Sequence, residues 1–257
     1  MTTTIPLDRR RLLQLGAGVI AAGSGLAATP AAAAAQIKAV AFDGFVIFNP
    51  KPVFALAETL FPGRGEALGN AWRVRQFEYT WLRTLAGRYA DFWQVTGEAL
   101  SFAAKLLKLD MTPEKHGQLM QAYLTLKAHP DVPPALETLR RQGIRLGFLS
   151  NMTEAMLHAA TRSAGLDSLF EQVLSTDRVQ AYKPDPRAYR MGMDAFGLRR
   201  EEIVFAAFGG WDAAGAKSFG YPTFWANRLN LPVEELGVAP DASGGELGAL
   251  VSFLGRG

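Results

Sequence analysis

The sequence contains no cysteine and only three histidines among its 257 residues. The absence of cysteine excludes disulfides, thiolate metal ligands and a cysteine nucleophile. The histidines, His116, His129 and His158, lie far apart along the chain, on segments that we interpret as helix or loop surface. We therefore expect neither a histidine-based metal site nor a Ser-His-Asp triad, because both need imidazole groups close to other functional groups.

A strong excess of either charge is also missing. The chain has 27 basic and 24 acidic residues, and residues 1–35 hold three of the arginines and one aspartate. The remainder carries 24 basic and 23 acidic residues, a difference of about +1, so nothing indicates a polyanionic partner such as nucleic acid. At 49% hydrophobic residues, the chain can form one large domain or a core with an insertion.

The first 35 residues have the composition of an export signal. Arg9 and Arg10 precede an apolar run, rich in glycine and alanine, from Leu15 to Ala28, and small residues follow at Ala31–Ala35. This order is typical of a secretory signal peptide, and the paired arginines resemble the twin-arginine type. We expect cleavage within Ala31–Ala35, a periplasmic location and membrane contact only during export. A membrane anchor or a disordered tail is the alternative.

Short apolar segments alternate with helical patterns over most of the chain. We expect strands at 39–42, 144–149, 172–175, 203–208 and 223–226, and helices at 66–88, 92–107, 114–127, 133–142, 154–164, 186–196 and 213–219. This alternation predicts an α/β fold with a Rossmann-like, doubly wound and mainly parallel sheet. The core would comprise residues 36–50 and 131–257, with residues 51–130 inserted after the first strand as a helical cap.

The long helix of this cap has apolar residues on two faces, which predicts packing on both sides. One face carries Leu68, Trp72 and Tyr79, and the other carries Val74, Phe77, Trp81 and Leu85. Arg73 lies at the edge of the second face, four residues before Phe77.

Polar side chains follow the strands of the predicted sheet. Asp43, Ser150 with Asn151, and Asp212 each lie just beyond a strand, and Lys183 lies on a neighbouring loop. We expect them to lie close together, because the carboxyl ends of parallel strands meet at one edge. A desolvated carboxylate can act as a nucleophile, and a nearby ammonium group favours its ionised form. The alternatives are a capping role for the aspartate and a purely structural ion pair between Lys183 and Asp212.

The order of these groups resembles the four motifs of the haloacid dehalogenase superfamily. Five further segments are similar to the type II, or (S)-2-haloacid, dehalogenases: FPGRG at 61–65, EYTWLR at 78–83, RVQAYKPD at 178–185, WDAAGA at 211–216 and FGYPT at 219–223. The resemblance implies hydrolysis of small (S)-2-haloalkanoic acids to (R)-2-hydroxyacids through an aspartyl ester. It also implies that the protein is a homodimer. Its only small-molecule partners would be the 2-haloacid substrate and water, and it would need no metal or cofactor.

The same resemblance implies the roles of the polar site residues. Asp43 would be the nucleophile, and Lys183 and Asp212 would orient it and the hydrolytic water. Ser150 would bind the substrate carboxylate, and Tyr189, which matches another active-site position of the family, would contact the substrate.

The resemblance also implies a halide site and an apolar pocket. Arg73, Asn151 and Trp211 would stabilise the departing halide, since donors beside an aromatic wall favour charge that develops in the transition state. The pocket would be completed by Phe45, Phe77 and Phe92. The alternatives are an arginine whose charged end stays in solvent, and aromatic side chains that simply pack in the core.

Several positions depart from the family pattern. Phosphatases of the superfamily carry an acid two residues after the nucleophile, and Phe45 at that position disfavours phosphoryl transfer. Val46 and Ile47 replace a glycine and a threonine. The family's serine and asparagine before Trp211 are also missing, at the positions of Ala207, Phe208 and Gly209. A phosphatase and a non-catalytic protein that binds a small carboxylate therefore stay open as alternative functions.

Overall fold

The chain is described by a computed structural model over residues 36–255. The strands are β1 (Ala39–Phe42), β2 (Phe48–Asn49), β3 (Lys127–Ala128), β4 (Arg145–Ser150), β5 (Gln172–Ser175), β6 (Ile203–Ala207), β7 (Thr223–Ala226) and β8 (Ala242–Gly244). The α-helices are α1 (Gly44–Ile47), α2 (Lys51–Leu60), α3 (Gly65–Leu85), α4 (Phe92–Leu106), α5 (Pro113–Ala122), α6 (Val132–Arg141), α7 (Glu154–Ala164), α8 (Pro186–Phe196), α9 (Gly210–Phe219) and α10 (Leu247–Leu254). The expected export signal lies outside the described residues. None of the helices within 36–255 has the length and apolar character needed to cross a membrane.

A parallel sheet forms the core, with strand order β5-β4-β1-β6-β7-β8. β1 lies between β4 and β6, with Val40 opposite Leu146 and Val204. Its four residues are fully buried and apolar, as expected for a strand covered by helices on both faces. The predicted α/β fold with a mainly parallel sheet is therefore confirmed, and the ends of β1, β4 and β6 lie at one edge.

A second, two-stranded antiparallel sheet joins the ends of the helical insertion. Phe48 of β2 pairs with Ala128 of β3, and Asn49 pairs with Lys127. The His129 N–H donates to the Ile47 carbonyl at 3.0 Å, which extends this connection toward α1. Helices α2 to α5 lie between these strands in the sequence, so the insertion leaves and returns at one place beside α1.

The insertion differs from its sequence prediction at two places. Helix α5 ends at Ala122 rather than at residue 127, because Lys127 belongs to β3. Helix α3 does not bury both apolar faces along its whole length. Phe77 is buried, whereas Val74 is 51% and Leu85 is 86% exposed. The second apolar stripe is therefore covered only in its middle, where it faces the core.

The chain after Pro240 forms one more strand and one helix. β8 pairs in parallel with β7, and α10 buries Leu247 and Leu250. This segment extends the sheet on the side away from β5.

Candidate active site

Asp43 lies in the loop that leaves β1, where its carboxylate is buried at 2% exposure. Oδ1 accepts a hydrogen bond from the Phe45 N–H at 2.8 Å, so Asp43 is also the N-cap of α1. The capping role considered from the sequence is thus present, and it fixes the carboxylate at the edge of the sheet. Oδ2 accepts from Lys183 Nζ at 2.7 Å.

Lys183 places a buried ammonium group between two carboxylates. Nζ donates to Asp43 Oδ2 and to Asp212 Oδ2, each at 2.7 Å, and the lysine is fully buried. Burial alone would lower the pKa of Lys183, but attraction to Asp212 and Asp43 outweighs it and holds the pKa above its usual value. Lys183 therefore stays charged and orients both acids. The ion pair between Lys183 and Asp212 that was considered as an alternative is present, and Lys183 also pairs with Asp43.

Asp212 lies in the first turn of α9 and is also fully buried. Burial raises the pKa of Asp212 above its ordinary value. The positive charge of Lys183 lowers this pKa, whereas repulsion from the Asp43 carboxylate raises it further. Tyr189 donates its hydroxyl hydrogen to Asp212 Oδ1 at 2.8 Å. Tyr189 was expected to bind substrate, but it is fully buried and its hydroxyl is bonded to this carboxylate. It holds Asp212 in place, and Asp212 has the environment of a proton acceptor.

Ser150 is the last residue of β4, Asn151 follows it, and Ser150 contacts the loop that carries Asp43. The Ser150 hydroxyl oxygen accepts from the Gly44 N–H at 3.3 Å and from Met152 N–H at 3.2 Å, and the hydroxyl donates to Asp43 Oδ2 at 3.4 Å. In this arrangement Ser150 supports the loop of Asp43. The space beside Gly44 is tight, because a Cβ there would lie 2.7 Å from the sulfur of Met152.

Asn151 carries a hydrogen-bond donor that has no partner among residues 36–255. Its Oδ1 accepts from the Lys183 backbone N–H at 3.1 Å, which fixes the orientation of the amide. Its Nδ2 is buried without a partner, and the residue is only 3% exposed. A buried donor left unpaired costs free energy, so this amide is suited to a bound acceptor such as an anion.

Aromatic rings from the core and the insertion form a wall beside the nucleophile. Phe45 lies two residues after Asp43, and its ring centroid is 6.5 Å from that of Phe92. Phe77 of α3 lies 6.5 Å from Phe92 and 5.5 Å from Trp211. The structure thus brings together the four aromatic residues that the sequence assigned to the pocket.

Phe208, which was not among the predicted pocket residues, belongs to the same wall. Its ring centroid lies 5.4 Å from those of both Phe45 and Phe77, and 6.1 Å from Trp211. The sequence signal was its position directly after β6, at the functional edge of the sheet. We define the aromatic cage as Phe45, Phe77, Phe92, Phe208 and Trp211.

Arg73 lies on α3, but its side chain is exposed. Within residues 36–255 it forms no hydrogen bond or ion pair with Asn151, and none with Trp211. Its charge does act on the buried Tyr123. Burial raises the pKa of the Tyr123 phenol, and the positive charge of Arg73 opposes this rise. The Tyr123 ring centroid is 6.4 Å from that of Phe45. The observed position of Arg73 therefore matches the alternative interpretation, in which its guanidinium group stays in solvent.

The departures from the family pattern are accommodated by apolar packing. Val46, Ile47 and Ala207 are fully buried in the core. At Gly209, an added Cβ would lie 2.9 Å from Trp211 Nε1 and 3.2 Å from its Cδ1. The indole therefore occupies the space that an asparagine side chain at position 209 would need.

Comparison with known proteins identifies relatives over most of the chain. The family model described as a haloacid dehalogenase-like hydrolase matches residues 14–220. An (S)-2-haloacid dehalogenase of Pseudomonas sp. (strain YL) is 42% identical over 219 residues, covering 85% of this chain and 94% of the relative. Haloacetate dehalogenase H-2 of Moraxella sp. (strain B) is 38% identical over 220 residues, covering 85% of this chain and 98% of the relative.

A solved structure extends the similarity to the fold. The L-2-haloacid dehalogenase from Xanthobacter autotrophicus with chloropropionic acid covalently bound superposes with a TM-score of 0.80 at 34% identity, covering 86% of this chain and 99% of that chain. The resemblance drawn from the sequence motifs is therefore confirmed. The chain belongs to the (S)-2-haloacid dehalogenase family of the haloacid dehalogenase-like hydrolases.

Proposed function

We propose that the protein hydrolyses small (S)-2-haloalkanoic acids to (R)-2-hydroxyacids through an ester on Asp43. The observation that carries this proposal is a buried carboxylate held by Lys183 and by the Phe45 N–H, beside an aromatic wall. In the first step a carboxylate oxygen attacks the α-carbon opposite the halogen. The carbon–halogen bond breaks, the halide leaves with the electron pair, and the configuration inverts.

Halide departure requires groups that stabilise a charge developing away from the nucleophile. The buried Nδ2 of Asn151 supplies a donor with no partner among residues 36–255, and Trp211 supplies part of the apolar wall. Arg73 is exposed and would join them only when its side chain turns toward the site. A donor fixed before the reaction stabilises the transition state without further reorganisation.

Ester hydrolysis then releases the product. Water attacks the carbonyl carbon of the Asp43 ester and transfers a proton to Asp212. The acyl–oxygen bond breaks, and the leaving alkoxide takes the remaining proton of the added hydroxyl, which gives the hydroxyacid and regenerates the Asp43 carboxylate. Asp212 then loses its proton to solvent. Tyr189 and Lys183 keep the Asp212 carboxylate in position for this step. Because Ala207 and Gly209 provide no polar side chains, Asp212 and Lys183 are the main polar groups available to the water.

Free halide released from (S)-2-chloropropionate and (S)-2-bromopropionate tests the proposal. The purified protein should release halide and form (R)-lactate, whereas Asp43→Asn should do neither, because its amide is a poor nucleophile. Release that persists in well-folded Asp43→Asn would contradict the ester mechanism. Release that is absent in both proteins would contradict dehalogenation of these acids.

The apolar replacements around the hydrolytic water favour a second candidate, a protein that binds a small carboxylate without turnover. The observation that favours this candidate is that Ala207 and Gly209 provide no polar side chain to hold the hydrolytic water. Mass spectrometry of the intact protein after one equivalent of (S)-2-bromopropionate separates the alternatives. A stable adduct on Asp43 indicates alkylation without hydrolysis, a transient adduct with lactate indicates the full cycle, and binding without an adduct indicates the binding protein.

Export through the twin-arginine route is part of the proposed function. It is supported by Arg9 and Arg10 ahead of an apolar segment. Fractionation of bacterial cells should find the protein in the periplasm, and Arg9→Lys with Arg10→Lys should retain it in the cytoplasm. Periplasmic protein in the double variant would exclude twin-arginine dependence.

We also propose that two copies associate through the outer face of α3. Leu82 and Leu85 are 57% and 86% exposed, and exposed apolar side chains on one helix favour an interface. Light scattering should give the mass of a dimer, and Leu85→Glu should shift it toward the monomer. A wild-type protein that is monomeric would exclude this assembly.

A further inference from the structure

Phe208 connects the nucleophile loop to the helical insertion. Its ring contacts Phe45 of the loop and Phe77 of α3, with centroids 5.4 Å apart in both pairs. Its backbone is also fixed, because the carbonyl accepts from Trp225 Nε1 at 3.3 Å. Phe208 therefore lies between two parts of the aromatic cage and restrains both.

Phe45 cannot easily move away from the nucleophile to enlarge the cage. Its N–H donates to Asp43 Oδ1, which fixes the start of α1 relative to the carboxylate. Phe208 then packs against the Phe45 ring in an edge-to-face arrangement, with 60° between the planes. Outward movement of the Phe45 ring would meet Phe208.

The opposite wall is also restrained. Trp211 packs 5.4 Å from Trp81 and 5.5 Å from Phe77. Its indole lies against the backbone of Gly209, where it fills the space of a side chain. Phe208 and Trp211 together make this side of the cage aromatic, and Phe208 lies in the segment before Trp211 where the family pattern has a serine and an asparagine.

We propose that Phe208 is a specificity-determining residue that makes the protein prefer the shortest acids, the haloacetates, over longer 2-haloalkanoic acids. The inference rests on the proposed function and specifies the substrate at the same site. During displacement, the α-carbon must approach Asp43, and any alkyl substituent on it must fit among the rings. A close-packed wall accepts an added methylene only by displacing side chains, and one methylene can change kcat/KM by about 10-fold or more.

The test compares kcat/KM for bromoacetate, (S)-2-bromopropionate and (S)-2-bromobutyrate. The wild-type protein should prefer bromoacetate over bromobutyrate by about 10-fold or more. Phe208→Ala should reduce this preference by a similar factor. The preference of Phe208→Leu should lie between those of the wild type and Phe208→Ala. Phe253→Ala, which removes a partly buried ring from α10, is the matched control and should leave the preference unchanged.

Binding of the products gives a readout that does not require turnover. Calorimetry should find glycolate bound more tightly than (R)-2-hydroxybutyrate by the wild type, with the difference reduced in Phe208→Ala. An unchanged chain-length preference in folded Phe208→Ala, by kinetics or by binding, would overturn the assignment of Phe208 while leaving dehalogenation intact. Halide release from none of the three acids would instead refute the proposed function, and the binding experiment would still decide the role of Phe208.

Discussion

Replacing Lys183 by methionine should destabilise the protein in a way that depends on pH. The substitution keeps the length of the side chain but removes the ammonium group that lies between the Asp43 and Asp212 carboxylates, both of which are bonded to Nζ at 2.7 Å. Removing one partner of a buried ion pair costs about 3–5 kcal/mol, and here two carboxylates lose the same partner. We therefore expect the free energy of unfolding at pH 8 to fall by at least about 3 kcal/mol.

The pH dependence follows from protonation of the acids. In the wild type, the raised pKa of Lys183 contributes stability that is present below its unfolded pKa, near 10.4, so this contribution is constant between pH 5 and pH 8. In the variant, the buried carboxylates repel each other, and the folded state takes up a proton more readily than the unfolded chain. The loss of stability should thus be smaller at pH 5 than at pH 8.

Urea denaturation at pH 5 and pH 8 measures this effect. Lys217→Met removes a lysine from a half-exposed pair with Asp241 and is the matched control, with an expected cost of about 0–1 kcal/mol at both pH values. A loss in Lys183→Met that is equally small, or one that does not vary with pH, would refute the reasoning.

Three further outcomes are expected. As the pH is lowered, the rate of ester hydrolysis should begin to fall at a pH clearly above 4, because burial raises the pKa of Asp212 and only the ionised Asp212 can accept a proton from the water. A pH–rate profile measured under single-turnover conditions locates this fall. Asn151→Leu should lower kcat for chloride release by about 10²-fold, since it removes the buried donor, with binding of lactate as the control for a folded pocket. Arg228→Met should lower the free energy of unfolding in urea by about 2 kcal/mol, because Arg228 pairs with Asp131 and donates to the Val46 carbonyl at 3.1 Å.

The sheet and the polar site were predictable because both follow from the order of the strands. Buried apolar segments that alternate with helices form a parallel sheet, whose carboxyl ends share one edge. The polar residues after β1, β4 and β6 therefore had to meet there. The contacts of Lys183 with Asp43 and Asp212 agree with this expectation.

Other features needed three-dimensional information. β2 and β3 have two residues each, too few to show alternation, and they pair across the whole insertion. Helical periodicity identified the stripe that contains Val74 and Leu85, but periodicity gives the direction of a side chain and not whether another element covers it. Phe208 was missed for a similar reason, since its neighbours in the cage come from distant segments of the chain.

The unusual positions around the nucleophile have a common physical consequence. Val46, Ile47 and Ala207 replace polar or flexible positions with buried apolar side chains, and Gly209 leaves room that Trp211 fills. Asp43 accepts hydrogen bonds from the Phe45 N–H and from Lys183. The attack on carbon needs those contacts, whereas the attack of water needs groups that hold the water. The replacements should therefore slow ester hydrolysis more than ester formation, and Asp212 becomes the residue on which completion of the cycle most depends.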